Sequence, residues 1–194
     1  HDFDEGTSLI RSLVRPDGAV GYPGAAFPLL SANLVFTNDS NLKTQVTNDL
    51  LVAATISNRI ARSCVIEVGG ETVGVVGATT PELATVSSPG GGVLILTNVA
   101  VEVQSAVDAL TGTGVDKIVV LSHLQQVEYE IALAGQLRGV DVIIAGGSHA
   151  LMAKATDRLR AGDARYIDYP AVANDLDGRT VYIINMGANY RYVG

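Results

Sequence analysis

Gly114-Val115-Asp116-Lys117-Ile118-Val119-Val120-Leu121-Ser122-His123 leaves a turn residue, runs through four aliphatic side chains and ends on a hydroxyl and an imidazole. A short, continuous apolar run between turn signals reads as a strand buried inside a sheet. Gly139-Val140-Asp141-Val142-Ile143-Ile144-Ala145-Gly146-Gly147 repeats the pattern and is followed by Ser148-His149. Residues 127–137 between them read as a helix. Ligand sites in open α/β sheets gather beyond the carboxyl ends of the strands, and His123 and His149 each follow such a strand. The two histidines are therefore expected to converge on one crevice.

Outward from this pair, apolar runs keep alternating with amphipathic stretches, an α/β pattern. Residues 98–110 have helical spacing through Val101, Val103, Ala106 and Leu110 and stop before Gly112. Residues 63–68 and 71–76 flank Gly69-Gly70, a hairpin signal because a tight primed turn needs positive φ. Residues 7–14 read as a short helix ended by Pro16-Asp17-Gly18, residues 29–36 as a strand, and residues 140–145 as the second buried strand. Residues 179–186 and 190–193 read as a closing pair of strands. The Asn-, Thr- and Ser-rich stretch 38–48 reads as a surface loop, and the Ser-Ser-Pro-Gly-Gly-Gly stretch 87–92 as a loop or hinge. No internal repeat and no linker divides the chain, so residues 1–194 are expected to form one domain.

A length of 194 residues with 47% hydrophobic and 17% charged side chains fits a globular protein with a proper core and argues against disorder. The net charge of -7 excludes a non-specific nucleic-acid surface, which needs an excess of Lys and Arg. A phosphate-ester ligand would have to be held by metal ions or local dipoles. Cys64 is the only cysteine, which leaves no intrachain disulfide and no thiolate cluster; its apolar surroundings suit a small buried hydrophobe. No apolar run approaches the ~20 residues of a membrane span, and no signal segment opens the chain. Asp157, Asp163, Asp168 and Asp175 are spaced like a solvated loop, not like a Ca²⁺ motif. Gly90-Gly91-Gly92 is no P-loop, and Gly146-Gly147-Ser148 lacks the third glycine of a dinucleotide fingerprint.

The chain begins His1-Asp2-Phe3-Asp4, continues through Phe27-Pro28-Leu29-Leu30-Ser31-Ala32-Asn33 and residues 73–82, and reaches Ser122-His123-Leu124 and Gly146-Gly147-Ser148-His149. In this order the stretches resemble the catalytic domain of the 5'-nucleotidase and 2',3'-cyclic phosphodiesterase family of calcineurin-like metallophosphatases. The family's first motif reads Gly-Asn-His-Glu/Asp-Phe-Asp, so the chain would start at its histidine. The resemblance implies an α/β fold: a layered αββα metallophosphatase-like sandwich, incomplete at its N-terminal side. It also implies metal-dependent hydrolysis of phosphate esters in the periplasm or outside the cell. The implied cofactors are two divalent ions (Zn, Mn, Co or similar), and the implied partners a phosphate-ester small molecule such as a nucleotide and the missing N-terminal part of the same domain. By the same resemblance His123 and His149 are metal ligands, His1 stabilises the transition state or protonates the leaving group, and Asp4 pairs with His1.

The sequence also departs from the family. A histidine usually stands two positions before the last one, in Gly-His-Ser-His/Gln, and here that position is Gly147. The upstream Asp-x-His and Gly-Asp motifs and the Asn before His1 do not occur in the chain. At most two ligands of the family set remain, too few for a stable two-ion site, so the chain alone is not expected to be a competent phosphatase. A plainer account competes: a clipped or inactive domain kept as a binding module, with the histidines capping strands and Asp2 and Asp4 serving as helix-start acids.

Overall fold

The computed structural model describes residues 2–189, 191 and 192. In chain order its elements are α1 (Gly6–Val14), β1 (Leu29–Leu30), β2 (Leu34–Val35), a 3-10 turn at Ala53–Thr55, β3 (Ile60–Ala61), β4 (Ser63–Val68) and β5 (Glu71–Thr79). There follow α2 (Leu83–Val86), β6 (Leu94–Ile95), α3 (Val99–Thr111), β7 (Ile118–His123), α4 (Val127–Ala134), β8 (Val142–Ile144), β9 (Ala171–Asn174) and β10 (Thr180–Ile184).

A six-stranded sheet in the order β4-β5-β7-β8-β10-β9 organises the chain. The four inner strands are parallel to one another, and β4 and β9 close the edges antiparallel. The predicted hairpin joins β4 to β5, with Gly69 and Gly70 at φ +61° and +85° as a primed turn requires. Parallel neighbours need crossovers, and α3 and α4 supply them between β5 and β7 and between β7 and β8. Strand alternation then sorts the side chains. Ile118 and Val120 of β7, Ile143 of β8 and Val181 and Ile183 of β10 are buried in one core with Val103, Val107 and Leu110 of α3. Burying each such side chain stabilises by about 1.5–3 kcal/mol, against about 1 kcal/mol for a typical hydrogen bond, so this layer fixes which sheet face the helices cover.

The opposite face is covered only in part. Over β4 and β5, Cys64 and Val75 are buried with Ile56, and Leu30 packs against them. Over the other inner strands, Leu121, Ile144 and Tyr182 remain 42%, 40% and 47% exposed. Leu121 lies beside Ile144, and Ile144 beside Ile184, so they form a continuous apolar surface. One sheet with helices on one face is half of the expected αββα layering.

Several boundaries differ from those the sequence suggests. The run 29–36 is two short strands: Leu29-Leu30 pairs with Ile60-Ala61, while Leu34-Val35 pairs with Leu94-Ile95. The break is made by buried Asn33, whose side chain donates to the carbonyls of Thr79 (2.9 Å) and Leu96 (3.3 Å) and accepts from the Thr79 amide (2.9 Å). The helix expected to reach residue 137 ends at Ala134, although Leu137 is still fully buried. Among the described residues the antiparallel partner of β10 is β9. Tyr190 and Val193 lie outside the described residues, and Arg191 and Tyr192 are not in a strand. The loop 38–48 is irregular but not merely superficial. Leu42 is fully buried beside Ile10 and Val14 of α1, and the Asp39 carboxylate accepts from the Thr7 hydroxyl (2.9 Å) and the Leu42 amide (2.8 Å).

Candidate active site

His123 is the last residue of β7, beside Thr79 at the end of β5, and its carbonyl accepts from the Thr80 amide at 3.0 Å. The sequence places it just beyond the strand; the ladder holds it inside. Thr79 is the residue gripped by Asn33, and its hydroxyl lies 2.8 Å from that of Ser31. Four segments distant in sequence thus meet at this sheet end.

The residues on either side of His123 face the helices. Ser122 and Leu124 are buried, and both are tied to Glu130 of α4. The Ser122 hydroxyl donates to Glu130 Oε1 at 2.8 Å and the Leu124 amide to the same oxygen at 3.0 Å. Glu130 is completely buried. Burial pushes its carboxyl pKa up, while bonds from the Leu124 amide, the Ser122 hydroxyl and the Glu130 and Gly146 amides pull it back.

His123 is half-buried, and desolvation lowers its pKa. The neutral imidazole is the form that can give a lone pair to a metal. Asp2 lies near enough to favour the cation, and His149 near enough to oppose it. The N-terminal turn and the loop after β8 both lie within electrostatic reach of the end of β7, while His149 and not His123 lines the neighbouring cavity.

Gly146 and Gly147 make that approach possible. A Cβ on Gly146 would stand 2.8 Å from the Ser122 carbonyl oxygen. A Cβ on Gly147 would stand 2.8 Å from His123 Cε1, 2.9 Å from its Nδ1 and 2.8 Å from Gln125 Oε1. Gly147 also holds φ +92°, a conformation L side chains rarely adopt. The space next to the missing side chain is filled by the His123 ring and the Gln125 amide. Gln125 and His149 hold φ +75° and +55°, costly for residues with a Cβ.

His149 is exposed and lines a cavity of about 650 Å³ with Gln125, Ser148, Tyr166 and Arg191. Asn185 donates to the Ser148 hydroxyl oxygen at 2.9 Å and steadies the loop from below. Asp4 is exposed and accepts from the Ser87 hydroxyl at 2.6 Å. His1, its expected partner, lies outside the described residues. The four aspartates set aside as a solvated loop have separate duties. Asp175 is buried and organises the turn between β9 and β10, accepting from the amides of Asp177 and Arg179 (each 2.8 Å). Asp163 accepts from Arg191 (3.0 Å) and the Tyr192 hydroxyl (2.7 Å).

Among the described residues, no three His, Cys, Asp or Glu side chains come together as a metal site. Two imidazoles alone do not fit a pair of divalent ions. Glu130 and Gln125 were not singled out by sequence. Gly146-Gly147, read as a close approach to the neighbouring loop, could have pointed to Gln125.

No protein-family model matches the chain. Curated proteins do: the chain is 32% identical over 194 residues to the 5'-nucleotidase of Diplobatis ommata, covering 100% of this chain and 30% of that protein. Among solved structures, the 5'-nucleotidase precursor from Thermus thermophilus aligns over 95% of this chain and 31% of its own, at 31% identity and a TM-score of 0.75. The NAD nucleotidase of Haemophilus influenzae aligns over 95% and 32%, at 26% identity and a TM-score of 0.72. The chain thus spans about a third of the length of these relatives. No helix among the described residues is long and apolar enough to cross a membrane.

Proposed function

The chain belongs to the 5'-nucleotidase family of metallophosphatases, and from that premise we propose that it forms the later part of the catalytic domain of a metal-dependent phosphoric-ester hydrolase. What supports this is that the loop after β8, which carries His149, passes the end of β7 so closely that a Cβ on Gly147 would stand 2.8 Å from the His123 ring. Its substrate class is a phosphate-ester small molecule, with a nucleotide favoured because the relatives are named for nucleotides. The family's periplasmic or extracellular setting belongs to the same reading.

The cofactors it calls for are divalent ions, which in such sites activate water and neutralise charge at phosphorus. The described residues supply two imidazole donors, and the remaining ligands have to come from elsewhere. This chain's own part is to hold His123 neutral and fixed and to offer His149 at the cavity wall. Asp4, with His1, is assigned to the leaving group by resemblance alone.

The test is hydrolysis of AMP and of a generic phosphomonoester with Mn²⁺, Zn²⁺ or Co²⁺, by the chain and by a longer protein that contains it. Turnover in the longer protein that a chelator abolishes and His123→Ala removes supports the hydrolase. One observation favours a second reading. The family's histidine position is a glycine at φ +92° whose side-chain space is already filled, as in a domain that has given up its chemistry for a binding role. No turnover under any metal, in either protein, supports that module.

A further inference from the structure

We propose that Glu130 is the positioning residue for His123: by holding Ser122 and Leu124 on the helix side of the sheet, it directs the imidazole between them to the other side. The inference rests on the metal-donor role of His123 proposed above and deepens it.

The geometry gives three reasons. First, Glu130 Oε1 accepts from the residue before His123 and from the residue after it, at 2.8 and 3.0 Å. Successive side chains of a strand point to opposite faces, so pinning the Ser122 side chain to the helix face commits His123 to the other, while the bond from the Leu124 amide fixes the backbone just past it. Second, the Leu124 bond anchors the chain where it turns into Gln125 at φ +75°, and that turn brings the Gln125 amide beside Gly147. Third, the carboxylate is a poor choice for packing alone. It is fully buried, and desolvating a carboxyl is a cost that Leu or Met would avoid. Outer residues that orient a ligand imidazole typically change metal affinity ~10- to 100-fold when removed.

The experiment follows the ring nitrogens of His123 and His149 by NMR in the ¹⁵N-labelled chain, without metal and during a Zn²⁺ titration, with thermal unfolding alongside. Glu130→Leu removes the acceptor, Glu130→Gln keeps a carbonyl oxygen for both bonds, and Ser122→Ala removes one bond while leaving Glu130. In Glu130→Leu the His123 ring resonances are expected to move, and their response to Zn²⁺ to weaken ~10- to 100-fold. Glu130→Gln should restore both towards wild type. If Glu130→Leu lowers the unfolding temperature yet leaves the His123 resonances and Zn²⁺ response unchanged, Glu130 is only a packing residue and the proposal is overturned. Should Glu130→Leu fail to fold, Ser122→Ala decides: displaced His123 resonances support the proposal and unchanged ones overturn it. If the wild-type His123 ring ignores Zn²⁺, the metal-donor role fails instead. The metal-free resonances of the variants then still decide whether Glu130 sets the ring.

Discussion

At Gly147 the absence of a side chain is a structural requirement as well as a departure from the family pattern. The residue holds φ +92°, and any Cβ would press on His123 and Gln125. Gly147→Ala is expected to destabilise the fold by ~1–3 kcal/mol, as strained backbone conformations do. It should also shift the His123 ring resonances; urea unfolding and NMR check the two effects separately. His123 itself carries a pH signature. Its folded-state pKa is lowered by desolvation, so the unfolded chain takes up the proton first as pH falls. The contribution of His123 to stability is complete above its ordinary pKa of about 6.5 and is lost as pH drops through that value. The difference in unfolding free energy between wild type and His123→Gln should therefore slope below about pH 6.5 and flatten above it. A difference independent of pH would contradict this. The histidines were legible because strand ends announce themselves in apolar runs. Glu130 was not, since Glu128 and Glu130 look alike in Val127-Glu128-Tyr129-Glu130 and only the folded packing leaves the first exposed and the second fully buried.

At the scale of the element, local rules served well where one pattern dominated. The hairpin at Gly69-Gly70, α3 and the buried strands β7 and β8 follow from turn chemistry and periodicity. They failed where a tertiary contact overrode the local pattern. Residues 29–36 read as one strand because Leu29, Leu30, Leu34, Val35 and Phe36 are apolar, yet the Asn33 side chain grips Thr79 and Leu96 and the chain changes partner there, from Ile60-Ala61 to Leu94-Ile95. The four-residue strand β9 was missed because so short a segment has no period of its own. The close passage of β1 over β5 depends on another glycine: a Cβ on Gly77 would lie 2.2 Å from the Leu30 carbonyl oxygen. Backbone cannot yield there as a flexible side chain can. Gly77→Ala is expected to destabilise by about 3 kcal/mol or more, read from urea unfolding. A loss below about 0.5 kcal/mol, ordinary for a surface substitution, would mean that β1 is not seated as described.

For the whole molecule, the sheet is sided. Helices cover one face, while Leu121, Ile144 and Tyr182 leave an apolar surface open on the other, at the same sheet that ends in His123. Contiguous exposed apolar surface of this kind binds hydrophobic dyes and favours association. The native chain should therefore enhance ANS fluorescence, and Leu121→Thr with Ile144→Thr should reduce that signal while preserving the fold. Equal dye binding in both would place the surface elsewhere. The α/β class and the place of His123 at a strand end could be drawn from sequence, since both follow from apolar runs. The uneven cover of the sheet could not, because an apolar strand residue looks the same whether or not a second layer lies over it.

The central claim is that His123 and His149 face a shared divalent-metal position. The most direct measurement is an anomalous difference map at the zinc edge from crystals, grown with Zn²⁺, of a longer protein that contains the chain. A peak in contact with both imidazoles, absent in His123→Ala crystals, is the predicted result. Zinc bound only at surface carboxylates, with both imidazoles bare, would contradict it.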